Sequence, residues 1–594
     1  MGSLSYILFL LTNPLYFSTD SMEVAIITNG LYGDDNYCQY IHPFLCKITR
    51  YLSFFLPNAD CFTLLMHVAI LVQYATFFLL IAGRSIRVQT RTMNLTDYGT
   101  IILVLLSILF SSFGLHIWNV NYTIQTACIT FVGLLTLFVS ANQRRSVLWI
   151  LIGTILTSFG FMVRQEAALL FLPFIGLEMI AIVIDLWRDN NRNKAEKQYY
   201  IRNMRCLFPA LLIVVLLLTS KKIIYSVEPG KTAYRYNSAR TEVVDYPMKS
   251  WSNSLLGDNE DKNTSFKKED YIAARRWFLA DTEIMTAERL EVIAQRGRKN
   301  QYNLSQTSVS SILKDMKGMF FQTNIFFQSL FIIAMLLIVR NIIACSSLWI
   351  KVEAVLTFTG SFLIIAYYTF RGRAPIRVWE PVIFAAIFTL SSSALRDKRR
   401  INADSNYSPI IQQKDKKYTA QGKTIVIKNV LVKSNIDIVT ILLIICILWQ
   451  CIGQIVAGMC LQKPQNVLIA RDSSADMLFA DTLKEENSLY IWKNFESDIL
   501  LKYMEVGKLP SYKVLSHNIP LGYWTYGQPY FTTFLDQIGH VNPIRDLVEK
   551  PNVFIMANDS YILDYLHLHY ANEISLIESE RIGSKPAFQV NYLE

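Results

Sequence analysis

Charge is scarce in this sequence. Only 18% of its 594 residues are Asp, Glu, Lys or Arg, against roughly 25% in an ordinary soluble protein. With 52% hydrophobic residues and a mean hydropathy of +0.28, that shortage argues against a soluble domain with a tail. The nine cysteines make no C-x-x-C and no metal-ligand spacing, so a dithiol motif and a cysteine zinc site are excluded. Cys128, Cys206, Cys345, Cys446 and Cys451 fall in or near apolar runs and read as small packed hydrophobes. Cys38 and Cys46 share one loop, where an oxidising compartment would allow them to pair. The seven histidines do not assemble a metal centre, and His567 and His569 read as surface residues. No internal repeat is present, which weighs against a transporter built from duplicated halves. No basic n-region with an A-x-A-like site opens the chain, so a cleaved signal peptide is not expected. No nucleic-acid-binding pattern occurs, and the formal net charge of +10 is explained by basic cytoplasmic loops.

What the sequence does have is long apolar runs. About eleven reach or approach the roughly 17–25 residues needed to cross a bilayer: 4–18, 61–83, 98–116, 123–141, 147–163, 167–186, 206–224, 324–344, 350–369, 378–395 and 436–458. Lys and Arg crowd the loops after alternate runs: Arg84, Arg87 and Arg91; Arg144 and Arg145; Arg188 to Arg205; and Arg396 to Arg400. Basic loops mark the cytoplasmic side. The N-terminus is then inside, and loops 19–60 and 225–322 and the tail 459–594 are outside. The expected fold is a polytopic α-helical membrane protein. Residues 1–458 form the transmembrane domain and residues 459–594 an extracytoplasmic α/β domain. A helix is expected near Glu269–Gln295. In the tail, strand-like runs (Ser488–Asn494, Lys513–His517, Asn552–Asn558) alternate with helical ones (Glu496–Gly507, Tyr530–Gly539, Tyr561–Ala571), the signature of an α/β unit.

Carboxylates crowd the edge of the first run, where they usually do chemistry or bind an ion. Asp20 and Glu23 share a helix face if that run continues as a helix. Asp34 and Asp35 follow in a turn-prone stretch, with His42 shortly after. Two such acids can divide two jobs. One deprotonates an acceptor hydroxyl while the other orients it or holds a divalent cation such as Mg or Mn. Arg164 and Glu166, in FMVRQEAALL, lie between two apolar runs with no long loop to carry them into water. Arg164 must pair with Glu166 or meet a ligand phosphate. Arg371, Arg373 and Arg377 form a basic turn, FRGRAPIRVWEP, on the side where basic residues are disfavoured. Their guanidinium forks suit phosphate oxygens.

These features resemble the GT-C superfamily of polyprenyl-phosphate-sugar-dependent glycosyltransferases, and look most like multispan proteins of Gram-positive bacteria. The resemblance lies in the short first span, the acidic first loop (TDSMEV, then GDDNYCQYIHP), the VRQEA step and the external C-terminal domain. It lies also in three phrases: Asn29–Gly33, Tyr236–Pro247 and Gly372–Val378. It implies a plasma-membrane enzyme that moves a sugar from a polyprenyl-phosphate donor to a cell-envelope glycan or glycolipid. It puts the first-loop acid at Asp20, with Asp34 or Asp35 as the second. The arginine turn would stabilise the departing lipid phosphate. Trp277, Trp524 and Tyr526 are candidates to hold the acceptor. A polysaccharide polymerase or ligase, or a lipid-linked-sugar transporter, are the competing readings.

Overall fold

The computed structural model describes residues 19–33, 37–57, 59–88, 122–143, 147–188, 194–245, 267–301, 309–322, 325–344, 348–370, 376–406, 487–495, 509–582 and 585–592. The expected spans 4–18, 98–116 and 436–458, the acids Asp34 and Asp35, and the arginines Arg371 and Arg373 lie outside the described residues.

Helices stand at the other eight expected spans. They are α3 (Cys61–Val88), α4 (Tyr122–Gln143), α5 (Val147–Val163), the pair α6 (Gln165–Leu169) and α7 (Leu172–Arg188), α8 (Lys194–Ile224), α13 (Ile325–Ala344), α14 (Leu348–Phe370) and α15 (Ile376–Asn406). Among the described residues, Leu348–Phe370 combines the length and apolarity of a bilayer crossing. Shorter apolar stretches lie at Cys61–Gln73, Tyr122–Phe138, Val147–Val163, Leu330–Ile343 and Val378–Ser393. The core joins Phe131 and Phe138 of α4 to Phe384 and Phe388 of α15. Helices α4 and α5 approach closely because glycines face the seam: a Cβ on Gly153 would lie 2.9 Å from the Gly133 carbonyl oxygen. Small residues serve this role between membrane helices. Outward faces remain apolar, with Leu148, Leu151 and Ile155 on α5 and Leu212, Val215 and Leu216 on α8 exposed. A helix facing water would carry polar residues there.

The remaining helices ahead of the tail are short and together are called the cap: α1 (Thr19–Asn29), α2 (Pro43–Phe55), α9 (Gly230–Arg240), a π-helical turn at Thr241–Asp245, α10 (Lys268–Arg275), α11 (Ala287–Gln301) and α12 (Val309–Gln322). The single helix expected over Glu269–Gln295 is thus two. The chain breaks at Trp277, whose φ is +64°.

The tail folds around a sheet of order β2-β1-β3-β5-β4. Its strands are β1 (Leu489–Trp492), β2 (Asn518–Pro520), β3 (Val553–Ile555), β4 (Ile574–Ile582) and β5 (Lys585–Tyr592). The first three are parallel, with Tyr490 opposite both Asn518 and Phe554, and β5 joins antiparallel to β3 and β4. Helices α16 (Tyr512–His517), α17 (Pro529–Gln537), α18 (Pro543–Glu549) and α19 (Ser560–His569) connect them. Two corrections arise here. Lys513–His517 is helical, because Ser511 caps its N-terminus by accepting from the Val514 amide at 3.3 Å, and the strand follows at Asn518. The β4–β5 hairpin, rich in charged residues, carries no strong apolar alternation and escapes the sequence pattern.

The tail docks directly on the segments expected outside. The Leu279 and Ala280 amides both donate to the Leu521 carbonyl, at 3.1 and 3.0 Å. Tyr32 of the first loop packs edge-on against Phe531 and Phe534, with centroids 5.0 and 4.9 Å away. Asp281 is fully buried and accepts from Tyr570 at 2.8 Å, Tyr565 at 3.1 Å and Asn542 at 3.1 Å, and from the Ile284 amide at 3.2 Å. Asp281→Ala strands several buried donors at once. It is expected to cost roughly 2–4 kcal/mol, read as a lower thermal unfolding midpoint of the purified protein, with Asp281→Asn intermediate.

Candidate functional site

A cavity of about 330 Å³ opens where the cap, the bundle and the tail meet. Its lining includes Asp20, Tyr40, Tyr122, Arg164, Arg240, Asp245, Arg276, Trp277, Lys493, Asn494, Tyr523 and Trp524. That volume is within the usual range for small-molecule sites. Lys493 and Asn494 follow β1, and Gly522–Trp524 follow β2, so the cavity lies off the carboxyl ends of parallel strands. Ligands bind there in open α/β sheets.

Local sequence explains how each wall is held. Helix α1 ends at Asn29 because Gly30 takes the left-handed conformation, φ +81°, that terminates helices. The Asn29 side chain then ties three elements together. It donates to Asp60 at 2.9 Å, and accepts from Ser53 at 2.7 Å and from the Cys61 amide at 2.9 Å. This fixes α1, and with it Asp20 at its first turn. Asp20 accepts a hydrogen bond from Tyr523 at 3.2 Å, so a residue of the tail reaches the first-loop acid.

Arg164 occupies the break between α5 and α6, in an extended conformation. Its guanidinium lies 5.0 Å from the Tyr40 ring and 4.9 Å from the Tyr122 ring, and it donates to the Tyr122 hydroxyl. Arg240 is fully buried. It pairs with Asp245 at 3.3 Å and donates to Asn237 at 2.7 Å and Tyr40 at 3.1 Å. Its guanidinium lies 5.1 Å from the Trp277 ring. Tyr40 therefore stands between the two arginines. Burial pushes its phenol up, against the opposing pull of Arg240, so Tyr40 stays neutral at physiological pH and serves as a hydrogen-bonding spacer.

Trp277 holds a position where glycine is usual. The Phe278 amide donates to Ala273 and the Trp277 amide to Ala274, a helix-ending pattern with a left-handed residue at Trp277. Such strain costs of order 1–3 kcal/mol and clusters at functional sites. Gly522 answers it: a Cβ there would fall 1.2 Å from the Trp277 carbonyl oxygen. Trp277→Gly should relieve the backbone yet strip the ring from Arg240. The expected outcome is a thermal midpoint near wild type with activity reduced about three- to thirtyfold, the worth of a cation–π contact.

The structure brings Asp20, Arg164, Trp277 and Trp524 together in this cavity. Glu23, one turn along α1 from Asp20, is instead fully buried and does not line the cavity. His42 does not line the cavity. Its ring caps α2, accepting from the Phe44 amide at 3.1 Å, and its other nitrogen meets the Leu217 carbonyl and Ser220 hydroxyl, each at 3.1 Å. Glu166 is exposed and lies 3.7 Å from Lys221, and its carboxylate also acts on the Arg164 guanidinium. Tyr526 is buried and does not line the cavity, donating to the Pro520 carbonyl. Arg377 is in the first turn of α15. Sequence reasoning missed Arg240 and Asp245 as site residues, although both stand in the phrase Tyr236–Pro247. It also missed Arg276, Lys493 and Tyr523.

Among the described residues, no three His, Cys, Asp or Glu gather as metal ligands. Of the cavity carboxylates, Asp245 is paired with Arg240 and Asp20 takes the Tyr523 hydrogen bond. Four basic side chains share the lining, a donor set that suits an anion rather than a divalent cation. A second cavity of about 330 Å³ lies between α12, α13, α14 and α15. It is walled by apolar side chains such as Met316, Phe320, Phe331, Met335 and Phe362, with Lys317 at one side.

No family model matches the chain, and no curated protein matches it. Among solved structures it is similar to ArnT from Cupriavidus metallidurans bound to undecaprenyl phosphate. The identity is 11%, the TM-score 0.43, and the match covers 99% of this chain and 97% of that one. A likeness of that depth leaves function to be argued from the cavity.

Proposed function

We propose that the protein is a membrane glycosyltransferase that moves a sugar from a polyprenyl-phosphate donor to a cell-envelope glycan or glycolipid acceptor at the outer face of a bacterial plasma membrane. The observation that carries this is the meeting, in one cavity, of a carboxylate and two arginines that lie over aromatic rings. Asp20 takes the proton of the acceptor hydroxyl. The acceptor oxygen bonds to the anomeric carbon as the bond from that carbon to the phosphate oxygen breaks. Negative charge gathers on the leaving phosphate, and Arg164 and Arg240 are placed to stabilise it. Trp277, Tyr523 and Trp524 supply flat apolar faces against which a sugar ring packs. The apolar second cavity suits the isoprenoid chain of such a donor. Arg371, Arg373 and Arg377 add positive charge for the same phosphate, by the argument from sequence. The test is direct. Purified protein in lipid nanodiscs is given a radiolabelled polyprenyl-phosphate sugar and an envelope glycan extract, and label is followed into the glycan. Release of free sugar alone, or no consumption of donor, contradicts the reading.

A further inference from the structure

Helix α2 has an unusual outer face. Its inner face, Leu45, Cys46 and Thr49, is buried against α1, α3 and α5. Its outer face shows Phe44 at 56% exposure, Tyr51 at 67%, Phe54 at 82% and Phe55 at 60%, with exposed Lys47 between them. Positions 44, 47, 51, 54 and 55 share one side of a helix. Water-facing helices carry polar residues on that side. A stripe of four aromatics with a lysine and no acid in the helix is instead the composition of a segment lying in a membrane interface. The next helix, α3, begins six residues after α2 ends and exposes an apolar row of its own, Leu64, Val68 and Val72.

We infer that α2 rests on the outer leaflet, with Phe44, Tyr51, Phe54 and Phe55 at the boundary of headgroups and acyl chains and Lys47 among lipid phosphates. This rests on the membrane reading above, and adds a lipid-binding surface outside the cavity. Its consequence is positional. Arg50 of α2 donates to the Asn29 carbonyl at 2.9 Å, Ser53 to the Asn29 side chain at 2.7 Å, and Tyr40 lies two residues before its cap. An interfacial α2 therefore sets the height of Asp20 and Tyr40 above the bilayer, where the headgroup of a lipid-linked donor resides.

The experiment places the photoreactive residue p-benzoyl-phenylalanine at position 54 of the full chain, and separately at exposed Tyr512 of the tail. Each protein is put in nanodiscs of phosphatidylcholine and phosphatidylglycerol, irradiated, and analysed by peptide mass spectrometry. A phospholipid adduct at 54 and none at 512 is expected. An adduct at 54 to a second copy of the chain, no lipid adduct there, or equal lipid adducts at both sites overturns the inference. The readout needs no turnover, so it fails or succeeds independently of the transfer assay.

Discussion

Asp20→Asn is expected to lower sugar transfer by about 10²- to 10⁴-fold, the usual loss when a general base is removed. The amide keeps the shape of the side chain and can still accept from Tyr523, whose hydroxyl lies 3.2 Å from the carboxylate. It cannot take a proton from an acceptor hydroxyl at neutral pH. The variant should therefore fold, elute and bind donor as wild type does, while single-turnover transfer slows. Donor affinity separates this from a structural role: a folding defect would move binding and transfer together. Tyr523→Phe gives the complementary case. It leaves the carboxylate in place and removes one hydrogen bond worth about 0.5–1.5 kcal/mol net, or more to a charged acceptor, so a loss of roughly three- to thirtyfold is expected. Transfer by Asp20→Asn at wild-type rates would move the base to Asp34 or Asp35.

The sequence reached the helical layout well and the site only by halves, for physical reasons. A long apolar run between basic loops announces a helix without help from the rest of the chain, and eight such runs coincide with helices. Asp20 and Arg164 were legible because a charge at the edge of an apolar run has few bland explanations. Arg240 was not, because it stands in a polar loop where arginine is common. Its role comes from the fold, which buries it completely and hands it Asp245, Asn237 and Tyr40. Tyr523 lies some five hundred residues from Asp20 in sequence, and only the docking of the tail through Leu521 and Asp281 brings it near. His42 shows the reverse. A histidine beside acids suggested chemistry, but it precedes Pro43 at a helix start, and its ring nitrogen is used as the cap.

Arg164 is expected to give the second large effect. Its guanidinium lies over the rings of Tyr40 and Tyr122 and lines the cavity together with Arg240, which also pairs with Asp245. Arg164→Ala should cost about 10²- to 10³-fold in transfer, the range for losing one preorganised donor to a developing anion. Arg164→Lys keeps the charge but not the planar fork, and should recover part of that loss without reaching wild type. The proposed arginine turn offers a sharper test of where the phosphate sits. If Arg164 and Arg371 hold the same phosphate, the two alanine substitutions act on one interaction, and the double variant should be less impaired than the product of the singles. If Arg371 meets only bulk anionic headgroups, its alanine variant should match wild type in neutral detergent at saturating donor, and the double variant should match Arg164→Ala. Transfer rates for the four proteins, measured against donor concentration, separate the two cases. Wild-type kinetics for Arg164→Ala would instead remove this arginine from the phosphate site, leaving Arg240 and the turn to carry it.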